Sequence, residues 1–499
     1  MEPMNEDKMI DKAAAAASVI FSATAVAFSA AWFYCIYYYV WTETRQFNSA
    51  LNITLFICLP PVLAVLALAG LRLRPSAKVS IAVLWSSTIV SMYALEVLAS
   101  FRPSLLGDPV LDAAKERRQI AASFGVTFDQ REMIEVLRDM HARGVDAVPA
   151  VYPTDLLDQQ PGGSLKSAIR IKNKEILPLG GVSNRLSVLC NESGDYRIYE
   201  SDEHGFHNPK GLWKFEQIDI AVVGDSFVHG FCVPSEKNFV ALIRRRYPET
   251  LSLGIGGNGP LLELATVKEF LPSLKPKIVL WAYFEKNDWN ELRKEAKTPL
   301  LLQYLKPNFS QHLISRQADV DQALLEYIER QKPQALLQLR ESQNPKSFEK
   351  LVEIAKLSTL RSKLGFAANQ RKSDEQRTAA DETADRALFR AVLQHAKGTV
   401  ESWGGSLYFV YLPPWERYAL PGLAKKNRGE VLQMLANLDI PVIDVHTSFQ
   451  SHGDPLSLFP FRRSGHYNLE GSQVVAVTVT DRLRADGFRP GEPGKSLQR

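Results

Sequence analysis

From residue 218 onward the chain alternates short apolar runs with stretches of helical periodicity, and this alternation restricts the fold more than any other feature. Strands are expected at 218–224, Leu251–Leu253, Ile278–Phe284, Ser406–Tyr411 and Pro441–Val445. Helices are expected at 238–247, Leu261–Leu274, Lys425–Leu438 and Gly471–Asp486. Strand and helix repeated in this way predict an α/β domain whose parallel sheet is covered on both faces. Sites in such sheets lie beyond the carboxyl ends of the strands. Residues 294–400 interrupt the pattern and read as a helical insertion that covers the site, binds a partner or merely decorates the domain. Within it, 369–386 is charged enough to be a mobile loop.

The first hundred residues are of another kind. Residues 13–42, 46–71 and 79–95 carry no charge, and each approaches or exceeds the ~20 apolar residues that cross a bilayer. The aromatic end of the first, from Trp32 to Trp41, suits the headgroup boundary. Pro60-Pro61 in the second suits a kinked bilayer helix. A cleaved signal peptide is the alternative for the first stretch, but its apolar run exceeds the usual ~7–15 residues. Three retained spans are expected. Arg72, Arg74 and Lys78 lie between the second and third without an acid among them, which places that loop in the cytoplasm. Everything after about residue 102 then lies outside, in the periplasm if the cell is Gram-negative and the membrane its inner one. The expected organisation is an anchor at 1–102, a helical and irregular lead-in at 103–215, and an α/β domain split into 216–293 and 401–499 by the insertion.

The net charge of +4 is spread along the chain, with no basic block dense enough for nucleic acid. No His/Cys/Asp cluster has metal-ligand spacing, and no cofactor is implied. Cys190 and Cys232 would lie in an oxidising compartment, where they either pair or stay as separate buried thiols.

Four patches follow expected strand tips. Ser226 stands on a Gly-Asp-Ser turn after the first strand, where a serine before a helix can be exposed as a nucleophile. The run Gly254-Ile255-Gly256-Gly257-Asn258-Gly259 follows the second strand, and Asn287 follows the third. His466 precedes the last helix. Ser226 could instead simply cap its helix, Asn287 close a turn and His466 be structural. His229 reads as packing or surface, Asp225 as a structural support of its turn, and Trp281, Tyr283 and Trp289 as core, Trp289 alternatively as a stacking wall for a sugar ring.

Serine, glycine, asparagine and histidine in this order resemble the SGNH (GDSL-type) hydrolases, over roughly 216–292 and 404–487. The resemblance implies a three-layer α/β fold, Ser226 as nucleophile and His466 as base. It also implies an oxyanion hole from the N–H groups of Ser226 and Gly257 and the amide of Asn287. Gly257 lies five residues after Ser252, where the family usually has asparagine. The family's aspartate three residues before the histidine is here Arg463. Asp288, Glu285 or Asp454 must then orient the imidazole, or a backbone carbonyl, or nothing in a bare dyad. Lys286 replaces the usual glycine before Asn287 and either narrows the pocket or meets an anionic substrate. The stretch from Tyr199 to Pro209 resembles the lead-in of membrane-anchored bacterial relatives and is expected at the sheet edge. The implied function is a membrane-anchored ester hydrolase removing O-acyl, foremost O-acetyl, groups from a glycan or glycolipid. The alternatives are O-acyl transfer to an exported polysaccharide with a membrane partner, a non-catalytic polysaccharide-assembly protein, and a lipid-directed esterase.

Overall fold

A computed structural model describes residues 6–41, 54–101, 119–215, 217–343, 354, 357, 379–420 and 427–489. The chain divides into two compact units, Met1–Asp112 with Pro345–Arg377, and Ala113–Asn344 with Thr378–Arg499.

In the first unit, α1 (Glu6–Trp41) packs against α2 (Leu59–Gly70) and α3 (Pro75–Phe101). Ala17, Phe21, Ala25, Ala67 and Ala82 form the seam, and Gly70 makes room for the Phe21 ring, which a Cβ there would meet at 2.7 Å. Val19, Val26, Leu84 and Val90 point outward. Among the described residues, two helices, over Met9–Tyr37 and Pro75–Leu98, are long and apolar enough to cross a membrane. The middle stretch does not repeat this, contrary to the expectation of three spans. Its α-helix has 12 residues, about 18 Å at 1.5 Å per residue against a hydrocarbon core of about 30 Å. Pro60 sits in the first turn of α2, where a π-helical turn over Thr54–Cys58 passes into the α-helix and the proline's missing N–H is tolerated. The loop at 42–50 lies outside the described residues.

In the second unit the lead-in is less helical than expected. After α4 (Met133–Ala142) it builds a small sheet from β1 (Ala147–Pro149), β2 (Leu186–Cys190) and β3 (Arg197–Glu200). β1 runs parallel to β2, and β2 antiparallel to β3 with a register shift between Val188 and Cys190. The expected helix over Ala113–Phe124 is helical at 119–123, its earlier part lying outside the described residues.

The main sheet contains β4 (Ile220–Val223), β5 (Thr250–Ser252), β6 (Ile278–Phe284), β7 (Ser406–Leu412) and β8 (Val442–Asp444), all parallel, in the spatial order β5-β4-β6-β7-β8. Each strand sits within a residue or two of its expected place. Alternate residues feed two cores. Ala221, Val223, Val279, Trp281 and Phe409 enter one, and Ile220, Val222, Leu280, Ala282 and Val410 the other. The first face is covered by α7 (Pro260–Phe270), α10 (Ala379–Glu401) and α11 (Asn427–Asn437). The second is covered by α5 (Ser226–His229), α6 (Phe239–Arg244) and α12 (Leu469–Ala485). Between β4 and β6 the winding reverses direction, and the gap at such a switch point is where open α/β sheets bind ligands.

The block at 294–400 is not one decoration. α10 buries Phe389, Val392, Leu393, Ala396 and Val400 against the sheet, so it is a core crossover helix. Residues 379–386, expected in a mobile loop, are its first turns, and 369–378 lie outside the described residues. α8 (Asp288–Glu295) follows β6, and α9 (Gln317–Gln343) docks on the lead-in, where Asp321 accepts from Ser183 N and Oγ at 2.9 and 2.6 Å. The 199–209 stretch closes the exposed edge of β5. Asn208 donates to Ser252 O and accepts from Ser252 N, both at 2.8 Å, satisfying backbone groups an open edge would leave unpaired.

Candidate active site

Gly224-Asp225-Ser226 turns sharply out of β4. A Cβ on Gly224 would lie 2.5 Å from Val228 Cγ2, so only glycine lets the turn close. Asp225 caps α5, accepting from Phe227 N at 2.9 Å, and leaves Ser226 half-buried at the carboxyl edge of the sheet. His466 comes from the loop before α12, where Asn468 accepts from Gly471 N at 3.0 Å and opens the helix. The two meet: Ser226 Oγ lies 2.8 Å from His466 Nε2.

The imidazole is oriented by a residue that was not among the expected acids. Glu192, in the hairpin turn between β2 and β3, accepts from His466 Nδ1 at 2.9 Å through Oε1 and from His466 N at 3.1 Å through Oε2. Its carboxylate and the imidazole are 17% and 19% exposed, shielded enough for the charge pairing to matter and open enough for a substrate to arrive. The turn is shaped by Asn191, which accepts from Gly194 N at 2.9 Å. It is pinned by a disulfide between Cys190 and Cys232 and by Ser193 Oγ donating to Cys232 O at 3.3 Å. The disulfide thus joins the end of β2, two residues before Glu192, to the segment just after α5, and resolves the pairing the sequence left open.

The three acids expected to orient the histidine are engaged elsewhere. Glu285 pairs with Arg417, at 2.7 Å through Oε2. Asp454 pairs with Arg462. Asp288 Oδ2 accepts from Phe284 N at 3.0 Å beneath the site. Burial, with repulsion from Asp225, holds the Asp288 carboxyl well above the usual range, and burial with repulsion from Asp288 does the same to Glu263. Lys286 pairs with Glu416 and donates to Ser464 Oγ at 3.2 Å, bracing the loop that carries His466.

Asn287 Nδ2 donates to Asp225 Oδ2 at 3.2 Å. One amide hydrogen is therefore spent on orienting the side chain, and the second is the one left for a ligand. The glycine run is held from two sides. Glu295 accepts from Gly259 N at 2.6 Å and Leu261 N at 2.8 Å, and His229 Nδ1 accepts from Gly256 N at 3.2 Å. Gly257 has φ +76°, a left-handed conformation a side chain resists. A Cβ there would also press on Thr154 Oγ1 at 2.9 Å.

His229 is structural, as expected. Its Nδ1 is an acceptor, so Nε2 carries the proton and donates to Tyr199 OH at 2.9 Å. His207 Nδ1 donates to His229 O at 2.8 Å and its Nε2 accepts from Ser235 Oγ at 2.8 Å. Burial pushes His207 down to about 4 and His229 well below the usual histidine value. The unfolded chain therefore takes up these protons first as pH falls below 6.5, and stability is lost between there and pH 4. His207 alone accounts for ~3 kcal/mol of that loss. Urea unfolding at pH 7 and pH 4.5 checks this: a His207→Gln variant is expected to lose less stability than wild type over that interval, and an equal loss refutes the assignment.

No family model and no curated protein matches the chain. Among solved structures, an α/β-hydrolase enzyme from the metagenome of Lake Arreo, Spain, is 13% identical with a TM-score of 0.28, over 56% of this chain and 98% of its own. A two-domain esterase active on acetylated mannans, co-crystallised with mannopentaose, is 11% identical with a TM-score of 0.28, over 57% of this chain and 54% of its own. The chain's own geometry defines its class. It is an α/β protein with a serine, a histidine and a carboxylate in hydrogen-bonded series at the carboxyl edge of a parallel sheet.

Proposed function

We propose that this protein is a serine ester hydrolase of the SGNH type, held at a membrane and acting outside the cytoplasm on O-acyl, foremost O-acetyl, esters of a glycan or glycolipid. The observation that carries the reading is the series Ser226 Oγ, His466 Nε2 and Nδ1, Glu192, with contacts of 2.8 and 2.9 Å. His466 accepts the proton as Ser226 Oγ attacks the carbonyl carbon, and Glu192 stabilises the imidazolium that forms. The alkoxide leaving group then takes that proton, and water, deprotonated by His466, releases the acyl group from Ser226. The N–H groups of Ser226 and Gly257 and the second amide hydrogen of Asn287 hold the oxyanion, each donor lowering the barrier by ~2.7–4 kcal/mol.

The non-catalytic alternative drew its strength from the missing aspartate at 463 and from Lys286 in place of glycine; Glu192 supplies an acid for the first, and Lys286 is engaged by Glu416 and Ser464. The extracytoplasmic placement is supported by the Cys190–Cys232 bond, which persists in oxidising compartments. It is also supported by the position of Arg72, Arg74 and Lys78 at the start of α3. With that end in the cytoplasm, α3 alone carries the following chain across, whatever the middle helix does. The glycan preference rests on the resemblance and the compartment.

The decisive experiment is labelling of the purified chain by a fluorophosphonate probe, expected in wild type and absent in Ser226→Ala and His466→Ala. Wild type that stays unlabelled, or a label that survives Ser226→Ala, removes the reading. Gly257→Ala is expected to lower kcat on an aryl acetate about a hundredfold, since the added methyl group displaces one oxyanion donor. Steady-state kinetics with a melting curve separates that loss from the strain of about 1–2 kcal/mol at a left-handed position.

A further inference from the structure

A third ligating atom lies beside the acid and base. Cys232 Sγ, a carboxylate oxygen of Glu192 and a ring nitrogen of His466 all fall within 4.8 Å of one another. A tetrahedral zinc ion, with bonds of about 2.0–2.3 Å, sets its ligand atoms roughly 3.5 Å apart, so these three need approach by little more than about 1 Å. Thiolate, imidazole and carboxylate are the donors such an ion takes. In the oxidised protein the sulfur is committed to Cys190 and offers no thiolate.

We propose that reduction of the Cys190–Cys232 bond converts the acid and base of the triad into a binding site for Zn²⁺, and that the bound ion shuts the site. The proposal rests on the esterase reading only for its consequence, not for the binding itself. A phosphine and one water cleave the S–S bond: phosphorus gives two electrons to the sulfurs and takes the water's oxygen, and two thiols result. The Cys232 thiol then releases its proton to solvent as the thiolate binds the ion. His466 contributes a ring lone pair. Ligation through Nδ1 leaves the proton on Nε2, which then cannot accept from Ser226. Ligation through Nε2 uses the same lone pair directly. Either way the base is lost. The disulfide thus has two effects: it pins the Glu192 turn against the nucleophile's segment, and it denies the triad to thiophilic cations.

The test uses the full chain in detergent, with Zn²⁺ alone as ligand and Co²⁺ as its spectroscopic substitute. Phosphine-reduced protein is expected to bind one Zn²⁺ at least a hundredfold more tightly than oxidised protein. Its Co²⁺ form is expected to show a thiolate-to-metal charge-transfer band. Fluorophosphonate labelling of Ser226 should fall at least tenfold with Zn²⁺ and return on chelation. Cys190→Ser, which leaves Cys232 as a thiol without reductant, is expected to behave as the reduced protein, and Cys232→Ser to lack the tight site under all conditions. Equal zinc affinity in the two redox states overturns the proposal, as does tight binding in Cys232→Ser. Reduced wild type carries the test if Cys190→Ser does not fold. Should Ser226 never label, the esterase reading fails, while zinc content and the cobalt band still decide the metal site.

Discussion

Glu192→Gln is expected to lower kcat on an aryl acetate by about 10³–10⁴-fold with little change in KM or melting temperature. Glu192 accepts twice from His466, from the ring through one oxygen and from the backbone through the other. A glutamine has one acceptor and one donor for those two places. If its NH₂ faces the backbone N–H, two donors collide. If it faces the ring, Nδ1 must become the acceptor, the proton moves to Nε2, and the base is lost. In either orientation the negative charge that steadies the imidazolium is gone. Asp454→Asn is the matched control. Asp454 pairs with Arg462 at an exposed position, and activity within about twofold of wild type is expected, since water screens such surface pairs. A Glu192→Gln enzyme within threefold of wild type would show that the histidine works unaided.

Ser226→Ala and His466→Ala are each expected to cost about 10⁶ in kcat, and the double variant no more than either alone, because the two groups act as one unit. Both side chains are partly exposed, so thermal stability should hardly move. The measurement is single-turnover hydrolysis by the two single variants and the double. Multiplicative losses would mean that the two residues serve separate steps rather than exchanging one proton.

The strand positions were legible because β4 through β8 are short runs of apolar and β-branched residues bounded by turns, with both faces buried. The alternation placed Ser226, the glycine run and Asn287 after strand tips and His466 before the last helix, while the choice of Gly257 within its run came from the resemblance. The middle membrane stretch was overread because the absence of charge was counted as length. The described part of that run is not one long α-helix: a π-helical turn over Thr54–Cys58 passes into 12 α-helical residues from Leu59. α10 was assigned to the helical insertion rather than to the sheet's covering layer because its exposed face is charged, and charge hid the apolar stripe from Phe389 to Val400.

Glu192 was the substantive omission. It sits in a polar hairpin turn, 274 residues from its histidine, on a sheet too short and irregular to announce itself. One signal did point to it: Cys190 lies two residues before this glutamate and Cys232 six after Ser226. Pairing the cysteines would have drawn an acid toward the serine. The local code of apolar period, glycine turn and capping residue was enough to decide which elements form and which side chains stand at their ends. Which carboxylate reaches the imidazole was left to the folded chain, because that contact depends on how the small lead-in sheet docks beside the large one. Docking is set by burial and a disulfide between segments far apart in sequence, and no local pattern encodes it.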